Sequence, residues 1–186
     1  NVDQTTGKDN AFGILNIKTK KSEIGNVNVK AQGNANIALR SSDSKAATVN
    51  FDSKGDASAV LTVAAPTDNL KVAGSASNAT VKVLTSLISA DIQGKSITMD
   101  LGPAASVETA TIAGSGNVVS GSGDLVDCTI AEGTSAAVQI PGAAVAGDNS
   151  YQPIISAPSV GGGSSSGGST GGNTGNTGGN TKPEVV

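Results

Sequence analysis

Acidic side chains beside glycine-rich bends are the first candidates for chemistry in this sequence: Asp52 with Asp56, and Asp124 with Asp127. Two neighbouring carboxylates could share a Ca²⁺, or serve as acid and base on a glycosidic bond. Neither segment follows the EF-hand loop or the GGxGxD nonapeptide pattern, and a chain with 15 acids holds many such pairs by chance. Asn and Asp also favour bends for conformational reasons alone. The chain has no His, which removes Ser-His-Asp and Cys-His triads, His-ligated zinc and histidine pH switches together. Cys128 is the single thiol, so no internal disulfide forms. Gly114-Ser115-Gly116 and Gly121-Ser122-Gly123 lack a following Lys or helical pattern and do not read as phosphate loops. We therefore expect no enzyme and no cofactor, with calcium the metal best matched to the acids.

Ligand classes narrow in the same way. Phe12, Phe51 and Tyr151 are the only aromatic residues of 186, too few for the stacking platforms that hold single-stranded nucleic acid. Net charge is -3, and no basic patch reaches a nucleic-acid footprint. Residues 1–60 carry seven Lys and Arg40 against six acids, whereas residues 101–160 carry five acids and no base. That gradient could favour head-to-tail contacts. No apolar run is long enough to span a bilayer as a helix.

The elements that must position these residues are set by a repeat. Gly33, Gly55, Gly74, Gly94, Gly114 and Gly133 follow one another at intervals of 22, 19, 20, 20 and 19 residues. Before each stands a triplet with apolar first and third positions: Val27-Asn28-Val29, Val49-Asn50-Phe51, Leu70-Lys71-Val72, Ala90-Asp91-Ile92, Ala110-Thr111-Ile112 and Cys128-Thr129-Ile130. That period of two marks a strand with one buried face. A second triplet follows most of the glycines, as in Ile37-Ala38-Leu39, Val81-Lys82-Val83 and Ile97-Thr98-Met99. A third apolar position, Ile88, Val107 and Val126 in the later copies, precedes the first triplet and predicts a third short strand. Such units cannot bury an apolar face alone and must stack.

The expected fold is all-β: a right-handed parallel β-helix, a β-solenoid of about six rungs of about 20 residues. The six glycines are read as corners needing positive φ. The scarcity of rings is read as the mark of a narrow coil. An antiparallel sandwich explains the alternation but leaves the glycine period unaccounted for. The solenoid module covers 1–157, with an N-terminal cap at 1–12 and a C-terminal cap at 143–157. Residues 158–186 form a flexible linker, because 161–181 consist only of Gly, Ser, Asn and Thr.

The middle positions of the first triplets, Asn28, Asn50, Lys71, Asp91, Thr111 and Thr129, make an outward column that is the candidate binding face. Lyases built on this fold cluster acids on one sheet beside a base. Here only Asp91 is acidic, and Arg40 lies far back in the repeat. An ice-binding face needs Thr-x-Thr on successive rungs, and the column mixes Asn, Lys and Asp with two Thr. Cys128 aligns with Val27, Val49, Leu70, Ala90 and Ala110 as a small core residue.

Val27-Asn28-Val29-Lys30-Ala31-Gln32-Gly33-Asn34, Leu70-Lys71-Val72-Ala73-Gly74-Ser75-Ala76 and Thr111-Ile112-Ala113-Gly114-Ser115-Gly116-Asn117-Val118, followed by the Gly/Ser/Asn/Thr spacer, resemble a recurring piece of Gram-positive cell-surface proteins. In those proteins a β-helical segment is joined by such a spacer to further extracellular modules, often S-layer-homology domains. The resemblance implies an extracellular, cell-surface or wall-associated setting and a non-catalytic role as stalk, spacer or assembly unit. Its implied partners are neighbouring surface-protein domains, cell-wall or extracellular polysaccharide, or further copies of the chain. A tapirin-like adhesin gripping polysaccharide or a host protein through one face is the alternative, and a self-assembling filament subunit is the third.

Overall fold

The computed structural model describes residues 2–5, 15–18, 23–41, 43–54 and 58–153. Among them are fifteen strands and no helix: β1 Val2–Thr5, β2 Leu15–Lys18, β3 Glu23–Gln32, β4 Asn36–Arg40, β5 Lys45–Lys54, β6 Ala59–Val63, β7 Thr67–Val72, β8 Ser77–Val83, β9 Leu87–Ile92, β10 Lys95–Leu101, β11 Ser106–Ile112, β12 Asn117–Gly121, β13 Asp124–Ile130, β14 Ala136–Val138 and β15 Ala144–Ala146. Odd-numbered strands form one eight-stranded sheet and even-numbered strands a second, seven-stranded sheet. Each strand pairs in parallel with the strand two places along. The chain therefore coils as a β-solenoid of about six turns, and parallel pairing throughout excludes the antiparallel sandwich. All of these strands lie in the unit Asn1–Ile154. The 158–186 linker lies outside the described residues, as does Gly55.

Alternation decides which side chains enter the coil. In the odd sheet Val49, Leu70, Ala90, Ala110 and Cys128 share one inward column, and Phe51, Val72, Ile92, Ile112 and Ile130 share the next. The even sheet answers with Leu61, Val81, Met99 and Val119 in register, all buried. Burying each such aliphatic side chain contributes about 1.5–3 kcal/mol. The ion pair Lys45 Nζ–Asp68 Oδ1, at 2.7 Å and largely exposed, contributes at most about 1 kcal/mol. The core, repeated rung by rung, holds the fold.

Three sequence expectations change. Each turn has two strands, and the expected third is the first limb of the odd-sheet strand. That strand bends where two consecutive residues face outward, and the ladder skips the first of them: Val107 pairs with Leu87 and Thr109 with Ser89, while Glu108 and Ile88 are left out. The inward residues of the limb are Leu87, Val107 and Leu125, so Ile88 and Val126 are instead 49% and 54% exposed. The period is also uneven. The odd-sheet register step falls from 22 residues between Val27 and Val49 to 20 between Ala90 and Ala110 and 17 between Cys128 and Val145. Finally, the wide end of the coil does admit a ring: Phe51 is 1% exposed, between Val29 and Val72.

Polar side chains also take inward strand positions, Ser53, Thr67 and Asn117 among them. Asn117 is fully buried, and its amide bridges the corners of two successive turns: Oδ1 accepts from Ile97 N at 2.7 Å, and Nδ2 donates to Gly94 O at 2.9 Å and to Gly114 O at 2.8 Å. With both donor hydrogens and the oxygen engaged, the buried amide holds corners in place without an unpaired group.

The corners explain the glycines differently from a left-handed turn. Gly33 and Gly133 have φ of 72°, but Gly74, Gly94 and Gly114 do not have positive φ. At Gly94 an added Cβ would stand 2.8 Å from Ala76 O, and at Gly114 it would run into the Gly94 carbonyl. At these two corners the stacked turns approach too closely for a side chain. Positive φ is found instead two to four residues on, at Asn78 (49°), Ser96 (53°) and Gly116 (72°).

The two ends are built differently. Val2–Thr5, within the expected N-terminal cap, pairs with β3 as an ordinary strand, and residues 6–12 lie outside the described residues. Beyond β15, residues 148–151 cover the open edge of β14. Ala136 N donates to Asp148 O at 3.1 Å, Val138 N to Asn149 Oδ1 at 2.6 Å, and Tyr151 N to Ala136 O at 3.2 Å. Asn149 thus stands in for a strand at an edge that would otherwise be unpaired.

These observations separate three glycine roles. Gly114→Ala is expected to lower stability by about 2–3 kcal/mol through overpacking. Gly133→Ala, at positive φ in open space, should cost about 1–2 kcal/mol. Gly74→Ala, with no atom closer than 3.8 Å to the new Cβ, should stay within about 0.5 kcal/mol of the parent. Urea unfolding of the three variants measures the order, and equal losses would remove close approach as the reason for the corner glycines.

Candidate functional site

The outward residues of the odd sheet alternate with its core residues, so core register fixes surface register. Asn28 pairs with Asn50, Asn50 with Lys71, Lys71 with Asp91, Asp91 with Thr111, and Thr111 with Thr129. The structure thus brings all six sequence-derived positions into one column, running along the coil at about 4.8 Å per step. Its two halves differ. Asn28, Asn50, Lys71 and Asp91 border a groove of about 730 Å³, whereas Thr111 and Thr129 lie on the open sheet beyond it.

The other wall comes from positions two residues further along each strand, about 7 Å away. It carries Lys30, Asp52, Ala73 and Gln93, with Ala73 leaving a gap between longer side chains. Inward-pointing Val29, Phe51 and Val72 form the floor. Sequence reasoning took the first wall and missed the second. The signal was present, since the same period of two places Lys30, Asp52 and Gln93 on the outward face.

Hydrogen bonds hold several of these groups. Asn50 Nδ2 donates to Asn28 Oδ1 at 2.9 Å across one rung. Gln93 Nε2 donates to Asp91 Oδ2 at 2.9 Å, and Ser75 Oγ to Asp52 Oδ1 at 2.8 Å. Each of these carboxylates is oriented by one oxygen. A second depression of about 510 Å³ lies at the strand bend by Ile88 and Glu108, where Lys45 and Asp68 are already paired with each other.

The acid pairs that opened the sequence reading do not gather. Asp56 lies outside the described residues. Asp124 and Asp127 flank the bend of β13, both exposed, with Leu125 turned into the core between them. Among the described residues no three His, Cys, Asp or Glu side chains stand close enough to hold a metal ion. Corner glycines Gly33, Gly74, Gly94, Gly114 and Gly133 sit between the two sheets, at the turns.

Comparison with protein-family models, with curated proteins and with solved structures returned no match.

Cys128 faces the core and is 2% exposed, and burial pushes its thiol up from 9.0 to about 11. Deprotonation is thus easier in the unfolded chain than in the folded one. Its stabilising effect is complete below pH 9 and is lost as pH rises through about 11. Between pH 9 and 11 the parent should lose stability faster than Cys128→Val, measured as urea midpoints across that range. The native thiol should also resist thiol reagents at pH 9, and prompt labelling there would contradict its burial.

Proposed function

We propose that this chain is a non-catalytic structural module of a bacterial cell-surface protein, a stiff stalk or spacer that sets the distance between its neighbours. The observation that carries this reading is the unbroken pairing of both sheets, from β1 to β15 and from β2 to β14. In such a stack each rung touches only the next, so bending must strain both ladders together, and length grows with rung number. The closed edge of β14 favours a stalk that terminates over a subunit that stacks indefinitely. The surface setting rests on the resemblance to Gram-positive β-helical segments and on the spacer-like Gly/Ser/Asn/Thr composition of 161–181.

Removing one rung tests the spacer reading. Ala110 is in register with Cys128, so deleting residues 111–128 joins Ala110 to Thr129 without disturbing the inward and outward pattern. The shortened chain should unfold cooperatively. A dye pair at Asn28 and Ala144 should close by about 5 Å. Antibody against the chain should label intact producing cells. Loss of folding on deletion would sink the modular reading, and labelling only after lysis would sink the surface setting.

A further inference from the structure

We propose that the groove at the wide end of the coil is a binding site for a neutral polysaccharide segment, lying along the solenoid axis across four rungs. The module would then grip a glycan as well as set a distance, and the site is confined to the half of the column that ends at Asp91.

The lining selects the ligand class. Lys30 stands one rung from Asp52 on one wall and Lys71 one rung from Asp91 on the other, so the groove balances two positive against two negative charges and favours neither a polyanion nor a polycation. Among the described residues the two lysines have no ion-pair partner, which leaves their ammonium donors available. Asp52 and Asp91 each have one oxygen engaged, to Ser75 and Gln93, and a second oxygen free to accept. Asn50 and Gln93 add amides that donate and accept on one group. A partner for this set must offer groups that also donate and accept, without charge, at intervals matching rungs about 4.8 Å apart. Sugar hydroxyls meet that description.

Position and shape agree with an extended chain. The walls are columns of side chains parallel to the axis, so the groove crosses the strands and extends for about 14 Å over four rungs. Its floor is the backbone of Val29, Phe51 and Val72, and the short Ala73 in the wall leaves room for a ring face to lie on it. Phe51 points inward, so no aromatic ring stacks against the ligand, and binding depends on the polar walls. Asp52 and Asp91 stand on different columns two rungs apart, which places them as ligands for hydroxyls and leaves the glycan uncut.

The test uses the ¹⁵N-labelled full chain, titrated with soluble oligomers of glucose, xylose, mannose and N-acetylglucosamine, and with oligogalacturonate as an acidic comparator. At least one neutral oligomer is expected to give saturable shifts confined to residues 28–30, 50–52, 71–73 and 91–93. Lys71→Ala and Asp91→Ala should each weaken that binding at least fivefold, while Thr129→Ala, in the same column beyond the groove, leaves it unchanged. All three side chains face outward, and the parent's shift map stands as a readout independent of any variant's folding. Absence of saturable shifts with every neutral oligomer, shifts centred elsewhere, or preference for oligogalacturonate would overturn the proposal. The rung deletion of residues 111–128 spares the groove, so failure of the spacer reading and failure of this site are told apart.

Discussion

Everything in this molecule follows from one spacing, the roughly 4.8 Å between parallel strands joined by backbone hydrogen bonds. Once successive turns are locked at that distance in two sheets, the turns between the sheets must stack at the same distance. Strands tolerate it because their side chains point in or out, never along the axis. The tightest corners do not, because a side chain at Gly94 or Gly114 has nowhere to go. Gly94 beneath Gly114 is the clearest case, where the backbone of one turn occupies the place a methyl group would take on the next. The buried amide of Asn117 belongs to the same constraint: it ties the Gly94 and Gly114 carbonyls and the Ile97 amide together where the strand ladder is interrupted.

The spacing also couples surface to core. A rung cannot slip by one residue without turning its apolar set to solvent, so the inward columns fix the outward ones. The taper then gives the outer face two characters. Where the register step is 20–22 residues, Phe51 fits inside, and Lys30, Asp52, Lys71 and Asp91 stand outside in a groove. Where it shortens to 17–18, the inward residue is Cys128, the same outward column carries Thr111, Thr129 and Ala146, and the charges are the acids Asp124 and Asp127 at the strand bend. The uneven charge along the sequence is this same division projected on one dimension.

Fold class was legible in the sequence because a twenty-residue period of glycines and alternating triplets has few other physical solutions. Strand number per turn was less legible. The doubled outward residues at Ile88-Ser89 and Val126-Asp127 bend a strand without ending it, and an isoleucine or valine at such a bend looks like core until register shows Leu87 and Leu125 inside. The glycine positions were evident, and positive φ holds at Gly33 and Gly133, but the reason for Gly94 and Gly114 was misread, since clash with the next turn depends on stacking distance and leaves no local sequence mark. Asn117 escaped notice because an inward polar residue breaks the pattern used to find inward positions. Of the groove, one wall was read and the other passed over. Concavity depends on which rungs carry Ala73 and which carry long side chains, and that emerges only when the turns are aligned.

The central claim is that each turn sits one strand spacing above the last in fixed parallel register. Spin-label distances test it most directly, in a Cys128→Ala background with one label at Asn28 and the second moved to Asp91, Thr111 or Thr129. Those positions stand three, four and five rungs away, so the expected distances are about 14, 19 and 24 Å, rising by one strand spacing at each step. Distances that fail to rise from Asp91 to Thr129, as an antiparallel arrangement would give, would contradict the account.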